Sequence, residues 1–200
     1  MLRLRVGGIL FRLCLSLLFP ATVVVMLTFD QSGMAAWCVA ASAMHETGHF
    51  LALVLLGSRP ESVTLGVFGM RVVQRPQNRL SYRQNIVVSL AGPAVNLISF
   101  AVLFSVGGWS VPASVHFMLG AMNLMPVEPL DGGQILYQLL ALWKDETFAE
   151  RTAFAVSLCT LAPLAAAGFY VLIDSGYNFT LLMLALYLGL LVIFKRRGIA

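Results

Sequence analysis

The chain has 200 residues, of which 59% are hydrophobic and only 11% are charged, and its formal net charge is +4. The charged fraction is about half that of an ordinary soluble domain, which excludes a typical water-soluble fold. The positive charge does not indicate a nucleic-acid partner, because the basic residues flank apolar runs, where they set orientation and meet anionic headgroups. The composition predicts an integral membrane protein embedded in a lipid bilayer.

Six apolar runs have about the length that a helix needs to cross roughly 30 Å of hydrocarbon. They cover residues 13–29, 34–57, 86–107, 111–125, 152–173 and 179–194, and the fourth is the shortest. All 13 Lys and Arg residues lie before the first run, after the last run or in alternate connections. Because positive residues near span ends stay in the cytoplasm, we predict six transmembrane helices with both termini in the cytosol.

The longest polar connection, residues 58–84, has alternating apolar residues on both sides of a Phe68-Gly69 pair. Period two around a glycine turn predicts a β-hairpin on the cytosolic side. The amphipathic stretch ILYQLLALW follows the fourth run, is too short to span a membrane and predicts an interfacial helix. The predicted fold is therefore an all-α polytopic membrane protein with a small hairpin and one short interfacial helix, forming a single domain over residues 1–200.

The second run contains the sequence HETGH, residues 45–49. Residues four apart lie on one face of a helix, so His45 and His49 can direct imidazole nitrogens at one zinc ion. Glu46 lies beside that face, where its carboxylate can act as general base toward the attacking water. The alternative is that the three side chains only make hydrogen bonds in a helix bundle. Three ionisable groups buried in one span are costly, which favours the metal site.

A catalytic zinc site takes three protein ligands, so a third must come from elsewhere. Asp131, in the segment NLMPVEPLDGG that ends the fourth run, is the best candidate. Glu128 is the competing carboxylate, and we interpret it as a solvated acid at the membrane surface. Cys38 is excluded, because seven helical residues place it about 10 Å from His45, against a zinc–sulfur distance of about 2.3 Å.

Three motifs resemble the site-2 protease family of intramembrane zinc metalloproteases. These are HETGH, the segment SLAGPAVN at residues 89–96, and NLMPVEPLDGG at residues 123–133. The resemblance covers roughly residues 36–134, and the six-span plan looks most like the bacterial group that includes the stage IV sporulation protease. It implies a metalloprotease domain whose catalytic core is about residues 34–134, flanked by the helices at 13–29, 152–173 and 179–194.

The resemblance also implies residue roles. His45, His49 and Asp131 would bind one Zn²⁺, Glu46 would be the catalytic base, and Asn96 and Asn123 would support the site or the substrate. The implied reaction is regulated intramembrane proteolysis of a membrane-anchored protein, in the bacterial cytoplasmic membrane, with the active site open toward the cytosol. A regulatory membrane protein would be a further partner.

His116 is predicted to lie away from the site and to make an ordinary interhelix hydrogen bond.

Two other functions also require histidines and acids within the membrane. A zinc transporter would need a second polar relay along its path, and the outer halves of the runs contain no such cluster. A noncatalytic relative that binds membrane helices would not need the complete set of metal ligands and base. Both remain alternatives to the protease.

Overall fold

The computed structural model describes residues 2–6, 9–13, 28, 30, 32–58, 60–66, 69–74 and 80–196. The first predicted span, residues 13–29, falls almost wholly outside the described residues. The chain divides into two compact units, Met1–Ala121 and Met122–Ala200. Each unit is described by itself below.

A four-stranded sheet belongs to the first unit. Its strands are β1 (Leu2–Val6), β2 (Ile9–Leu13), β3 (Pro60–Gly66) and β4 (Gly69–Gln74), in that spatial order. The pairs β1–β2 and β3–β4 are antiparallel, and β2 runs parallel to β3. β3 and β4 occupy the segment for which the sequence predicts a hairpin, with Gly66 opposite Gly69. Within this sheet, β1 and β4 are the outer strands.

The first unit also contains three helices. They are α1 (Met34–Leu55), which lies between β2 and β3 in the chain, α2 (Tyr82–Gly107) and α3 (Val111–Asn123), whose last two residues fall in the second unit. A capping box starts α2, where the Ser81 hydroxyl accepts from the Gln84 backbone and the Gln84 side chain accepts from the Ser81 backbone. α3 packs on α2 at Gly120, where an added Cβ would lie 3.1 Å from the Leu97 side chain.

The second unit contains α4 (Asp131–Trp143), α5 (Glu146–Ser175) and α6 (Thr180–Arg196). Asp145 caps α5 by accepting from the Phe148 backbone, and Gly176 ends that helix with a positive φ of 75°. The buried core of this unit consists of Val127, Leu161, Leu188 and Val192. α5 and α6 therefore pack together around the loop that precedes α4.

Three described helices, α1, α2 and α5, are long and apolar enough to cross a membrane by length and composition. α3 and α4 have 13 residues each, or about 20 Å of helix, which is less than the roughly 30 Å of hydrocarbon. Large apolar side chains such as Leu55, Val106 and Ile173 are exposed, as expected of helices that face lipid. The helical membrane architecture is thus confirmed, while the number of six spans stays a prediction.

Candidate metal centre

His45 and His49 form a close pair one turn apart on α1. Both are buried, with 6% and 9% of their surface exposed, and their Nε2 atoms lie 3.1 Å apart. Two nitrogen ligands about 2.0–2.1 Å from a tetrahedral zinc ion would lie about 3.3 Å apart. The two histidines therefore have the spacing that one zinc ion requires.

The second ring nitrogen of each histidine is held by α2. Nδ1 of His49 lies 2.7 Å from the backbone oxygen of Val88, and Nδ1 of His45 lies 3.0 Å from Nδ2 of Asn96. Because a carbonyl oxygen only accepts, Nδ1 of the neutral His49 ring carries the proton, and Nε2 is the acceptor nitrogen of that ring. Such partners on the far ring nitrogen are usual for metal-binding histidines.

Two glycines allow α1 and α2 to approach at the pair. A Cβ on Gly48 would lie 2.8 Å from the Ala91 backbone oxygen. A Cβ on Gly92 would lie 2.8 Å from Nε2 of His45 and 2.6 Å from Cε1 of His49. The space in front of the two Nε2 atoms therefore exists because residue 92 has no side chain.

Glu46 and Thr47 lie between the two histidines. Glu46 is half-buried, whereas Thr47 is exposed and its hydroxyl donates to the Ala43 carbonyl oxygen at 2.7 Å. The Thr47 side chain is thus bonded within its own helix. Of the two, only Glu46 combines proximity to the pair with a group that can accept a proton.

His116 occupies a different position from the one predicted. It is 2% exposed, and its Nδ1 lies 3.1 Å from Oδ1 of Asn96, which is itself fully buried. The predicted interhelix hydrogen bond exists, but the prediction that His116 lies away from the site is wrong, because a single side chain joins it to His45. In the sequence, this contact is indicated only by two polar residues in separate apolar runs. Their pairing depends on how α3 packs on α2.

In the second unit, Asp131 is the first residue of α4 and is half-buried. The preceding loop folds tightly over the start of the helix. A Cβ on Gly132 would lie 2.5 Å from the Met125 backbone oxygen, and one on Gly133 would lie 2.5 Å from the Glu128 backbone nitrogen. Because Gly132 and Gly133 have no side chains, the preceding loop can pack against the first turn of α4, directly after Asp131. Asn123, also half-buried, ends α3.

The interpretation of Glu128 as a solvated acid is wrong. Its side chain is only 8% exposed. Its backbone N–H donates to Ser157 Oγ at 2.9 Å, and its carbonyl oxygen accepts from Gln134 Nε2 at 2.8 Å. Burial raises the pKa of the Glu128 carboxyl, and nearby Lys195 opposes this rise. The sequence did not indicate Ser157 or Gln134. Their side chains bond to the backbone of Glu128, which lies in a loop, and such contacts leave no pattern in the sequence.

The model of peptidase family M50 matches residues 105–166. A candidate zinc metalloprotease of Synechocystis sp., sll0528, is 32% identical over 108 residues, covering 48% of this chain and 28% of that protein. A second candidate zinc metalloprotease, Rip3 of Mycobacterium tuberculosis, is 29% identical over 147 residues, covering 64% of this chain and 37% of its own length. The matches therefore span less than a third of the length of sll0528 and little more than a third of that of Rip3.

The site-2 protease from Methanocaldococcus jannaschii has a similar structure. The TM-score is 0.59 at 20% sequence identity, and the match covers 94% of this chain and 91% of that one. At this identity the likeness establishes a shared fold. With the family match and the apolar helices, it confirms that this integral membrane protein resembles the site-2 proteases, peptidase family M50.

Proposed function

We propose that the protein is an intramembrane zinc metalloprotease that cleaves a membrane-anchored protein within or near its transmembrane segment. The observation that carries the proposal is the buried His45–His49 pair, whose Nε2 atoms are 3.1 Å apart with Glu46 beside them. The names of the relatives from Synechocystis and M. tuberculosis, both candidate zinc metalloproteases, support the same metal and reaction.

We propose His45, His49 and Asp131 as the ligands of one zinc ion. Two imidazoles and a carboxylate with an open fourth position are a ligand set of catalytic zinc. Asp131 is supported by its residue type and by its place at the start of α4, directly after a tightly folded loop. Asn96 supports the site through His45, and Asn123, at the end of α3, is a supporting residue by its motif.

The chemistry that bound zinc supplies is Lewis acidity, which polarises the scissile carbonyl and lowers the pKa of water toward about 7. Glu46 then takes the proton from the attacking water and delivers it to the leaving amine. A peptide bond in a substrate helix is shielded by helical hydrogen bonds, so the helix must unwind first. The outer strand β4 can pair with the unwound segment and satisfy its backbone groups.

The proposed catalytic core, about residues 34–134, lies in a polytopic domain of six transmembrane helices over residues 1–200. Both termini face the cytosol of a bacterial cell, and the active site opens toward the cytosol. This orientation follows from the 13 basic residues, which lie before the first run, after the last run and in alternate connections. Positive residues near span ends stay on the cytoplasmic side. The substrate is a membrane-anchored protein, and a regulatory membrane protein is a further partner. A role like that of the stage IV sporulation protease is one instance of this reaction.

A substrate trap tests the function. Wild type and Glu46→Gln are expressed equally, purified from membranes and compared for bound zinc and for co-purifying proteins. We expect both to bind zinc, and only the variant to accumulate an uncut membrane-anchored protein, because the amide cannot accept the proton. That protein, reconstituted with wild type, should be cleaved.

Two controls give the trap its meaning. His45→Ala should lose both zinc and cleavage, whereas Thr47→Ala, which alters an exposed side chain of the same helix turn, should keep both. Cleavage by purified Glu46→Gln would overturn the assignment of the base. Equal zinc binding with no trapped protein and no cleavage by wild type would favour a zinc transporter or a noncatalytic helix-binding protein.

A further inference from the structure

Four buried groups of the first unit form a continuous line that ends at the metal-facing pair. Nδ1 of His116 lies 3.1 Å from Oδ1 of Asn96, whose Nδ2 lies 3.0 Å from Nδ1 of His45. The line continues over 3.1 Å from Nε2 of His45 to Nε2 of His49. It joins residues of three helices that are between 0% and 9% exposed. Each of these distances is short enough for direct contact between the two atoms that it joins.

The amide of Asn96 decides which nitrogen of His45 carries a proton. The amide presents an acceptor, Oδ1, and a donor, Nδ2, and a half turn exchanges the two without changing the shape of the side chain. When Nδ2 points at His45, Nδ1 of the neutral imidazole must accept, so the proton lies on Nε2. When Oδ1 points at His45, Nδ1 donates and Nε2 keeps its lone pair. Only the second orientation leaves His45 able to bind a metal ion.

We propose that His116 is a positioning residue that, through Asn96, selects the His45 tautomer that binds zinc. In this arrangement, which a half turn of the amide produces from the orientation in the structure, Nδ1 of His116 accepts from Nδ2 of Asn96, and Oδ1 of Asn96 accepts from Nδ1 of His45. A neutral imidazole can take this role because it exchanges a donor for an acceptor at Nδ1 by changing its own tautomer. The inference rests on the proposed zinc site and adds a residue to it that lies one side chain beyond Asn96.

The position of His116 explains why a hydrogen-bonding residue is buried there. A buried amide group without a partner costs about 1–3 kcal/mol, so the far end of Asn96 needs a partner in either orientation. An apolar residue at position 116 would leave that end unsatisfied and would let the amide turn away from His45. The result would be weaker zinc binding with unchanged ligands.

A double-mutant cycle on zinc affinity tests the inference. The purified full chain in detergent is stripped of metal, and its zinc affinity is measured by competition with a chromophoric chelator. The first variant is His116→Phe, which keeps a planar ring and removes the hydrogen bond. The second is Asn96→Asp, whose carboxylate presents an acceptor in both orientations, and the third combines the two. Ser114→Ala, on the same helix as His116, is the control and should bind zinc like wild type.

We expect His116→Phe to weaken zinc binding about tenfold, the low end of the range for residues behind metal ligands. Asn96→Asp should bind at least as tightly as wild type, and His116→Phe should cost less than about twofold in that background, because no amide remains to be oriented. A merely structural histidine would cost the same in both backgrounds, and that result would overturn the inference. So would wild-type affinity in His116→Phe.

A second comparison serves if His116→Phe does not fold. Asn96→Leu should bind zinc at least about tenfold more weakly than Asn96→Asp, since only the carboxylate accepts from His45. Weak binding by both would contradict the tautomer argument. Failure of wild type itself to bind zinc would instead refute the proposed function, so the two failures are distinguishable.

Discussion

A Cβ atom on Gly92 would lie 2.8 Å from Nε2 of His45, inside the space that a metal ion needs. We therefore expect Gly92→Ala to weaken zinc binding at least about a hundredfold, because the methyl group occupies the coordination side of both rings. The added methyl group should also destabilise the helix pair by about 1–3 kcal/mol, as overpacking does. Chelator competition and thermal unfolding in detergent measure the two effects.

Gly107 provides the matched control for this substitution. It is the last residue of the same helix, α2, and a Cβ there would meet nothing within 4 Å. Gly107→Ala should leave zinc binding unchanged and alter stability by no more than about 1 kcal/mol. Zinc binding by Gly92→Ala equal to that of the control would show that the metal does not occupy this space.

The pH dependence of stability reports on Glu128. Burial raises its pKa above the ordinary value of 4.5, Lys195 and Arg196 oppose the rise, and Glu150 adds to it. The unfolded chain therefore releases this proton at lower pH than the folded chain does. Stability from the protonated carboxyl is fully present below about pH 4.5 and is lost as the pH rises through the higher folded value.

Glu128→Gln should remove this loss, because its amide is neutral at every pH. We expect the variant and wild type to unfold at similar temperatures near pH 4, and the variant to be the more stable of the two at neutral pH. Lys195→Met should steepen the wild-type decline, since it removes the opposing positive charge. A difference between Glu128→Gln and wild type that is constant from pH 4 to 8 would contradict the raised pKa.

Ser157 should be important for stability in the second unit. Its buried hydroxyl accepts from the Glu128 backbone N–H at 2.9 Å and donates to the Ala153 carbonyl oxygen at 2.7 Å. Ser157→Ala leaves that N–H without its acceptor and should cost about 1–3 kcal/mol in free energy of unfolding. Thr160→Val is the control, because the Thr160 hydroxyl donates only within its own helix, to Val156. Equal losses in both variants would argue against the loop contact.

The sequence predicted the local part of the site. HETGH placed two histidines on one helix face because helical periodicity alone determines the relation of residues four apart. The same reasoning does not extend beyond the helix itself. It could not find the contact between His116 and Asn96, which are separated by 20 positions and meet only because α3 packs on α2.

Two further features were not predicted from the sequence: the burial of Glu128 and the amino-terminal strands. Glu128 was interpreted as solvated because polar loops usually face water, whereas its loop folds inward over α4. The strands β1 and β2 had a signal, since LRLRV alternates in period two before a Gly-Gly pair. The arginines of that segment fit the cytosolic flank of a membrane span equally well, so the alternation alone does not distinguish a strand.

Zinc K-edge X-ray absorption on the purified protein tests most directly whether His45 and His49 share one zinc ion. We predict nitrogen and oxygen neighbours at about 2.0–2.1 Å with outer-shell scattering from two imidazoles, and loss of about half of that imidazole signal if His45→Ala retains any zinc. A sulfur neighbour at about 2.3 Å, an imidazole signal that His45→Ala leaves unchanged, or no retained zinc in wild type would contradict the account.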